Sequence, residues 1–344
     1  MKVGYVYDPV YLKHDTGQHV ENANRLEAIV SHLEKTQLIP QLTLINPRPA
    51  SIDEIASVHS RDYITRISDV AQKGGGWLDP DTLMSSGSYE AAIYAAGGAI
   101  KATESVLNKE VDNAFALVRP PGHHATPQRA MGFCLFNNIA IAARYAINQY
   151  NLDRIAIIDF DVHHGNGTQE AFYDDARVLY ISTHEYPFYP GTGGREETGN
   201  GKAEGTTINV PLPSGCGDVE YLQVFDQIIA PAVRRFNPRF ILVSAGYDLH
   251  WADNLALMQV TTTGFAEMIK IIKGLADELC DGRLVFCLEG GYHLKALAYS
   301  VKATFDILLG NNRIEDPLGQ STQGYKPIDI SALIRAIKVI HNLP

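Results

Sequence analysis

Short apolar runs bounded by turn residues recur along the chain at residues 2–7, 114–118, 154–160, 178–182, 240–245 and 284–288. Runs of this length with such punctuation predict buried strands. Between several of them, apolar positions return every three to four residues, over 88–107, 138–148, 219–235 and 263–278. That period predicts amphipathic helices, and the alternation of the two patterns predicts βαβ units around a parallel sheet. No internal repeat, low-complexity tract or linker breaks the pattern, so residues 1–344 read as one domain. The stretch 186–217, rich in Gly, Pro and Thr but aromatic at its start, reads as ordered loops around a site.

The strand ends carry the chemistry. One run is followed by Arg-Pro-Pro-Gly-His-His (119–124) and a second by Asp-Val-His-His-Gly-Asn-Gly (161–167). A third leads into Ala-Gly-Tyr-Asp (245–248) and a fourth into Glu-Gly-Gly-Tyr (289–292). Ligands bind outside the carboxyl ends of strands in open α/β sheets, so the four clusters should converge on one crevice.

Composition narrows the alternatives. A chain of 344 residues, 45% hydrophobic and 20% charged, can bury a sizeable core. Its net charge of -10 gives no general attraction to nucleic acid or to anionic membrane. The N-terminus is too polar for a signal peptide, and no apolar stretch approaches the roughly 18 residues that span a bilayer. A cytoplasmic location follows. Cys134, Cys216, Cys280 and Cys287 have neither C-x-x-C spacing nor the density of a disulfide scaffold and read as reduced thiols.

Asp161 and His163, two residues apart at a strand end, project to the same side and can hold one ion. A catalytic zinc takes three N or O ligands and leaves a position open. The third would come from the loop after residue 245, where Asp248 and Asp253 both qualify. A lone strand-end aspartate is more often a turn former or helix cap; four His/Asp/Tyr clusters at four strand ends shift that balance toward a site. His14, His19, His32, His59, His184, His250, His293 and His341 lack such support and read as structural or surface residues.

The neighbours His123 and His124 read as an acid/base pair whose protonation depends on their partners. A carboxylate partner favours the imidazolium, whereas an amide such as Asn166 leaves its histidine nearer neutral. Tyr292, after Gly290 and Gly291, can bring a hydroxyl to a carbonyl held at the metal.

Together these clusters resemble the zinc-dependent histone deacetylase and acetylpolyamine amidohydrolase superfamily. The resemblance rests on RPPGHHA (119–125), MGFCLFNN (131–138), IDFDVHHGNGT (158–168), PGTGG (190–194), AGYDLHWAD (245–253) and EGGY (289–292). It implies an α/β, arginase-like three-layer fold, with a mainly parallel eight-stranded sheet and helices on both faces. It further implies Asp161, His163 and Asp253 as ligands of one catalytic Zn2+, with Asp248 in support. In the family's chemistry, zinc polarises the acetyl carbonyl and activates water, His124 is general base and then acid, and Tyr292 donates to the oxyanion. His123, paired with Asp159, stays cationic, and Asn166 in its place beside His124 resembles the class II branch.

A structural K+ is implied at Asp159, with main-chain oxygens of Asp161 and His163, plus Ser182 and Thr183. Gly165 stands where a binuclear site would need a bridging aspartate. Gly132, Phe133 and Tyr189 match the walls of a narrow channel, and Gly290 and Gly291 lie at its tyrosine loop. Asp81 falls near the rim acid that holds a peptide backbone, and Arg25 matches the arginine at the inner end of the pocket. Leu255 replaces the glutamate gatekeeper of polyamine-selective relatives, and no long early insertion is present. Val20 and Asn254 stand where the family usually has proline.

The expectation is a zinc deacetylase acting on acetyl-lysine or a small acetylated amine. An acetylpolyamine amidohydrolase is the alternative within the same chemistry, and a catalytically weak acyl-lysine-binding protein the alternative from another class.

Overall fold

A computed structural model describes residues 1–322 and 324–344. Eight strands form one sheet: β1 (Val3–Val6), β2 (Thr43–Ile45), β5 (Asn113–Ala116), β6 (Ile155–Asp159), β7 (Val178–Glu185), β8 (Thr207–Leu212), β9 (Phe240–Ala245) and β10 (Leu284–Leu288). A small antiparallel hairpin, β3 (Gly75–Trp77) with β4 (Leu83–Ser85), stands apart. The order across the sheet is β2-β1-β5-β10-β9-β6-β7-β8, and every pairing is parallel. The three-layer α/β expectation is met, with helices packed around the sheet in two groups. One group joins Ser88–Leu107 to Asn138–Tyr150, and the other joins Asn24–Lys35, Leu294–Leu309 and Thr262–Leu279.

The central strands are apolar throughout because both faces are covered. Ile155, Ala156, Ile157 and Ile158 of β6 and Phe240, Ile241 and Val243 of β9 are all inaccessible. Each large side chain so buried contributes about 1.5–3 kcal/mol. The polar exceptions sit where strands end. Asp159 of β6 pairs with Ser182 of β7 on one side and Ser244 of β9 on the other, and Cys287 of β10 pairs with Ser244. The carboxyl ends of β5, β10, β9 and β6 are therefore adjacent and level. These are the strands from which the four predicted clusters emerge.

Two elements differ from the expectation. The stretch 186–217, expected as ordered loops, contains β8. This strand lies at the sheet edge, where Pro211 costs no ladder hydrogen bond, and that proline masks its strand character. The helix expected over 219–235 is helical throughout but passes through a π-turn at Phe225–Ile229, between Asp218–Val224 and Ala230–Phe236. Pro231 lacks the N–H that a regular α-turn would need there. Among the described residues no helix is long and apolar enough to cross a membrane.

Candidate active site

Asp161 and His163 leave β6 together, as their spacing predicted, and Asp248 meets them from the loop after β9. One ligand atom from each lies within 4.8 Å of the others. His163 Nδ1 is 3.2 Å from Asp161 Oδ1 and 3.4 Å from Asp248 Oδ2. Burial disfavours an imidazolium, but Asp161 and Asp248 outweigh it and carry His163 up to about 10. Burial and then Asp161 push the Asp248 carboxyl up to about 6. The remaining contacts orient the donors. Val162 N–H donates to Asp248 Oδ1 (3.1 Å) and Gly290 N–H to Asp161 Oδ2 (2.8 Å). Asp248 Oδ2, in a side chain that is 1% exposed, accepts no hydrogen bond. A buried carboxylate oxygen with no partner nearer than His163 Nδ1 at 3.4 Å can accommodate a cation. Gly290 permits the close approach, since a Cβ there would lie 2.0 Å from Asp248 Oδ2. Two carboxylates and one imidazole fit a divalent ion with an open position.

Asp253, the third ligand that the resemblance implies, is held by the tyrosine loop. Asp253 is not part of the converging donor group. Its Oδ2 accepts from the N–H groups of Tyr292 (2.6 Å) and His293 (2.9 Å), and its Oδ1 accepts from Leu255 N–H (3.1 Å). It anchors the tyrosine loop, and, as at Asp161, whose two oxygens also accept N–H groups, these contacts leave lone pairs that can reach an ion.

The rings of His123 and His124 lie 4.0 Å apart, tilted by 45°, and differ in partner as expected. His123 Nδ1 lies 3.1 Å from Asp159 Oδ2. Burial is outweighed by Asp161 and Asp159, so His123 rises to about 10. His124 Nδ1 lies 2.9 Å from Asn166 Oδ1. Burial, His123 and His163 hold it well below the ordinary histidine range. Because an amide oxygen only accepts, His124 Nδ1 carries the proton and Nε2 keeps a lone pair. Beneath the pair, Glu289 Oε2 accepts from the N–H groups of Gly122 (2.6 Å) and His123 (3.1 Å), and burial lifts its carboxyl to about 7. His123, Cys134 and Glu289 also offer donors within 4.8 Å of one another. These read as a hydrogen-bonded floor, because Glu289 already accepts two N–H groups and the Cys134 thiol donates to Gly132 O at 3.2 Å.

A cavity of about 160 Å³ opens over this floor, lined by Asp81, His124, Gly132, Phe133, His163, Phe188, Tyr189, Leu255 and Tyr292. Larger hollows of about 650 and 540 Å³ elsewhere contain neither His124 nor His163. Phe133 meets Tyr292 edge-on (5.7 Å, 89°), Tyr189 meets His124 edge-on (5.2 Å, 87°), and Phe188 stacks on His163 (5.7 Å, 20°). Phe188 lies just before the PGTGG run and carries no motif signal of its own. Gly132 holds φ +57°, and a Cβ there would strike His124 Cδ2 at 2.2 Å. Asp81 Oδ1 accepts from Gly132 N–H (3.2 Å) and Thr82 Oγ1 accepts from Phe133 N–H (3.1 Å), which fixes this wall.

Other expected members lie outside the cavity lining. Arg25, expected to touch ligand, is 1% exposed and sits behind Tyr292, with its guanidinium carbon 4.9 Å from the ring centre. It donates to the carbonyls of Gly291 (2.7 Å) and Glu289 (2.5 Å), so it supports the loop. Gly290 and Gly291 likewise shape the backbone and do not line the cavity. Ser182 and Thr183 come alongside Asp159 through the β6–β7 pairing. Ser182 Oγ lies 2.9 Å from His184 Nδ1, and Thr183 Oγ1 is buried without a partner. His164 is buried between Thr192 Oγ1 (2.8 Å) and Gln169 Oε1 (3.0 Å), a structural role.

Residues 19–308 match the family model of the histone deacetylase domain. A probable deacetylase of Archaeoglobus fulgidus is 46% identical over 304 residues, covering 87% of this chain and 84% of that protein. Histone deacetylase 10 of rice, named chloroplastic, is 46% identical over 325 residues, covering 88% of this chain and 73% of that protein. The crystal structure of the HDA15 HD domain matches with a TM-score of 0.89 at 34% identity, over 99% of this chain and 94% of that one.

Proposed function

The chain belongs to the histone deacetylase family, and from that premise we propose that it is a zinc-dependent deacetylase hydrolysing the N-acyl amide of acetyl-lysine or a lysine-like amine. The observation that carries the reading is the unpartnered Asp248 Oδ2, which converges with Asp161 and His163 beneath a cavity that also holds His124 and Tyr292. Asp161 and His163 would hold the zinc together with Asp248, which converges on them, or Asp253, which the resemblance implies; either set of two oxygens and one nitrogen suits this ion. A bound zinc supplies Lewis-acid polarisation of the amide carbonyl and a water of lowered pKa. A potassium ion would sit among the oxygens gathered by the β6–β7 pairing, at Asp159, Ser182 and Thr183 with the main chain of Asp161 and His163.

The remaining roles follow from the side chains. His124 Nε2, kept basic in form by the Asn166 contact at Nδ1, takes the proton from the attacking water and returns it to the leaving amine. His123, charged through Asp159 and Asp161, offsets negative charge as it develops. The hydroxyl of Tyr292 donates to the oxyanion. Phe133, Phe188 and Tyr189 enclose an aliphatic stem and exclude water, Asp81 stands at the wall that Gly132 completes, and Leu255 leaves that part of the lining uncharged. Arg25, Gly290 and Gly291 hold the tyrosine loop. Residues 1–344 act as one domain, and four free cysteines, all buried, suit a reducing cytoplasmic setting.

The test is kcat/KM for an acetyl-lysine peptide, free acetyl-lysine and acetylated polyamines, with zinc-loaded protein. We expect the peptide or free acetyl-lysine to exceed the polyamines by about tenfold, equivalent to ~1.4 kcal/mol in transition-state binding. The reverse order would make the protein an acetylpolyamine amidohydrolase. Tight binding of acyl-lysine without turnover would make it a binding protein.

Tyr292→Phe removes only the hydroxyl. Loss of one oxyanion donor costs about 10²–10³ in kcat. Zinc content and KM should stay near wild type, because the ring keeps its packing against Phe133 and Arg25. Wild-type kcat in this variant would remove Tyr292 from the chemistry.

A further inference from the structure

Behind the active site lies an ionic cluster that the proposed chemistry does not use. Glu21, just before the helix Asn24–Lys35, is wholly inaccessible. Its Oε1 accepts from Arg119 Nε at 2.6 Å and from Arg25 Nη1 at 3.1 Å. The two arginines serve different loops. Arg119 opens the segment that ends in His123 and His124, and donates also to Tyr11 O (3.1 Å) and Thr16 Oγ1 (3.3 Å). Arg25 holds the carbonyls of Glu289 and Gly291 and lies behind the Tyr292 ring. One carboxylate oxygen thus stands between the histidine loop and the tyrosine loop.

Charge makes that oxygen hard to replace. Burial alone would raise the Glu21 carboxyl, but Arg119, with His14 and Arg25, holds it well below the usual carboxylate range. On the other side, His14 Nε2 lies 3.4 Å from Glu21 Oε2, while His14 Nδ1 is 2.7 Å from Ser88 Oγ. Without the carboxylate, two buried guanidinium groups would face each other with no countercharge, and the closer-held one would retreat. The loops would still be joined by Glu289, which accepts from Gly122 and His123 N–H directly. A change at Glu21 should therefore alter the spacing of the loops while leaving the donors of the metal site in place.

We propose that Glu21 is a positioning residue for the hydrolysis, setting the Tyr292 hydroxyl against His124 by tying Arg25 to Arg119. The inference rests on the deacetylase reading, and on the roles of Tyr292 and His124 within it.

The experiment uses zinc-loaded Glu21→Gln and Glu21→Asp, each with and without Tyr292→Phe. For Glu21→Gln we expect unchanged zinc stoichiometry, KM within about twofold and kcat lowered about tenfold or more. Glu21→Asp, which keeps the charge, should recover part of the loss. In the Tyr292→Phe background Glu21→Gln should cost less than about twofold further, since the residue it positions has lost its hydroxyl. A purely structural role would lower Tm with kcat per zinc-loaded molecule unchanged, and that result overturns the proposal. Losses that add fully to Tyr292→Phe overturn it as well. If Glu21→Gln does not fold, wild-type kcat in Glu21→Asp has the same force. A crystal structure of either folded variant reads the positioning without turnover: Arg25 should leave the Gly291 carbonyl or shift along it. Unmoved Arg25 and Tyr292 refute the proposal, whereas wild-type protein inert toward every acyl amide refutes the deacetylase reading instead.

Discussion

Asparagine at position 248 is expected to empty the metal site and abolish turnover, whereas asparagine at position 253 leaves the metal bound. Asp248 presents an oxygen with no hydrogen-bond donor, 3.4 Å from His163 Nδ1, inside a group that is almost wholly buried. The neutral amide keeps the shape and removes the charge. It can also turn an NH2 toward the ion, which no cation tolerates. Affinity should fall by more than the ~10–100-fold that follows loss of an outer partner. Asp253 stands differently, with its oxygens already accepting from Tyr292, His293 and Leu255 N–H groups. Asp253→Asn should lower kcat by loosening the tyrosine loop, with zinc still at one equivalent. Metal analysis of both purified variants decides the matter. Zinc retained by Asp248→Asn and lost by Asp253→Asn would restore the ligand set that family resemblance implied.

That pair shows where the sequence was legible and where it was not. Asp161 and His163 could be read as partners because a strand end fixes the direction of two side chains spaced by two. Asp248 and Asp253 lie beyond the end of β9, in a segment whose path depends on contacts with the Tyr292 loop some 40 residues away, as the Tyr292 N–H bond to Asp253 shows. Spacing alone does not separate them, because both aspartates belong to the same run. The same limit explains Arg25. Its position matches the family motif, but only the tertiary structure reveals that its nitrogens are occupied by Gly291, Glu289 and Glu21.

For the fold, buried strands of continuous apolar residues were legible and edge strands were not. β6, β7, β9 and β10 stand where periodicity put them. β2 has three residues, and β8 carries Pro211 on an edge that only the sheet order identifies. Glu21, Phe188 and Glu289 were missed as functional support for a related reason. Glu289 stands in the EGGY run but acts on backbone N–H groups of the histidine loop, Glu21 acts on two arginines from distant segments, and Phe188 acts through its ring face.

Alanine at position 124 is expected to leave zinc bound and reduce kcat by the ~10²–10⁴ typical of a general acid/base. His124 contributes no atom to the converging donor group, so its removal leaves the ligands of Asp161, His163 and Asp248 in place. What disappears is the lone pair on Nε2 facing the cavity, which Asn166 keeps available by accepting at Nδ1. His123 cannot substitute, since Asp159 and Asp161 hold it as a cation with its proton committed. The complementary variant is Asn166→Asp, which places a carboxylate at the same 2.9 Å contact and should raise the His124 pKa, because an opposite charge favours the imidazolium. The acidic limb of the kcat/KM profile, which reports the essential base of the free enzyme, should then move to higher pH, with activity lost first at low pH. An unmoved limb in a folded, zinc-loaded Asn166→Asp protein, together with more than a tenth of wild-type kcat in His124→Ala, would assign the base to another group, as a general base typically contributes at least about 10².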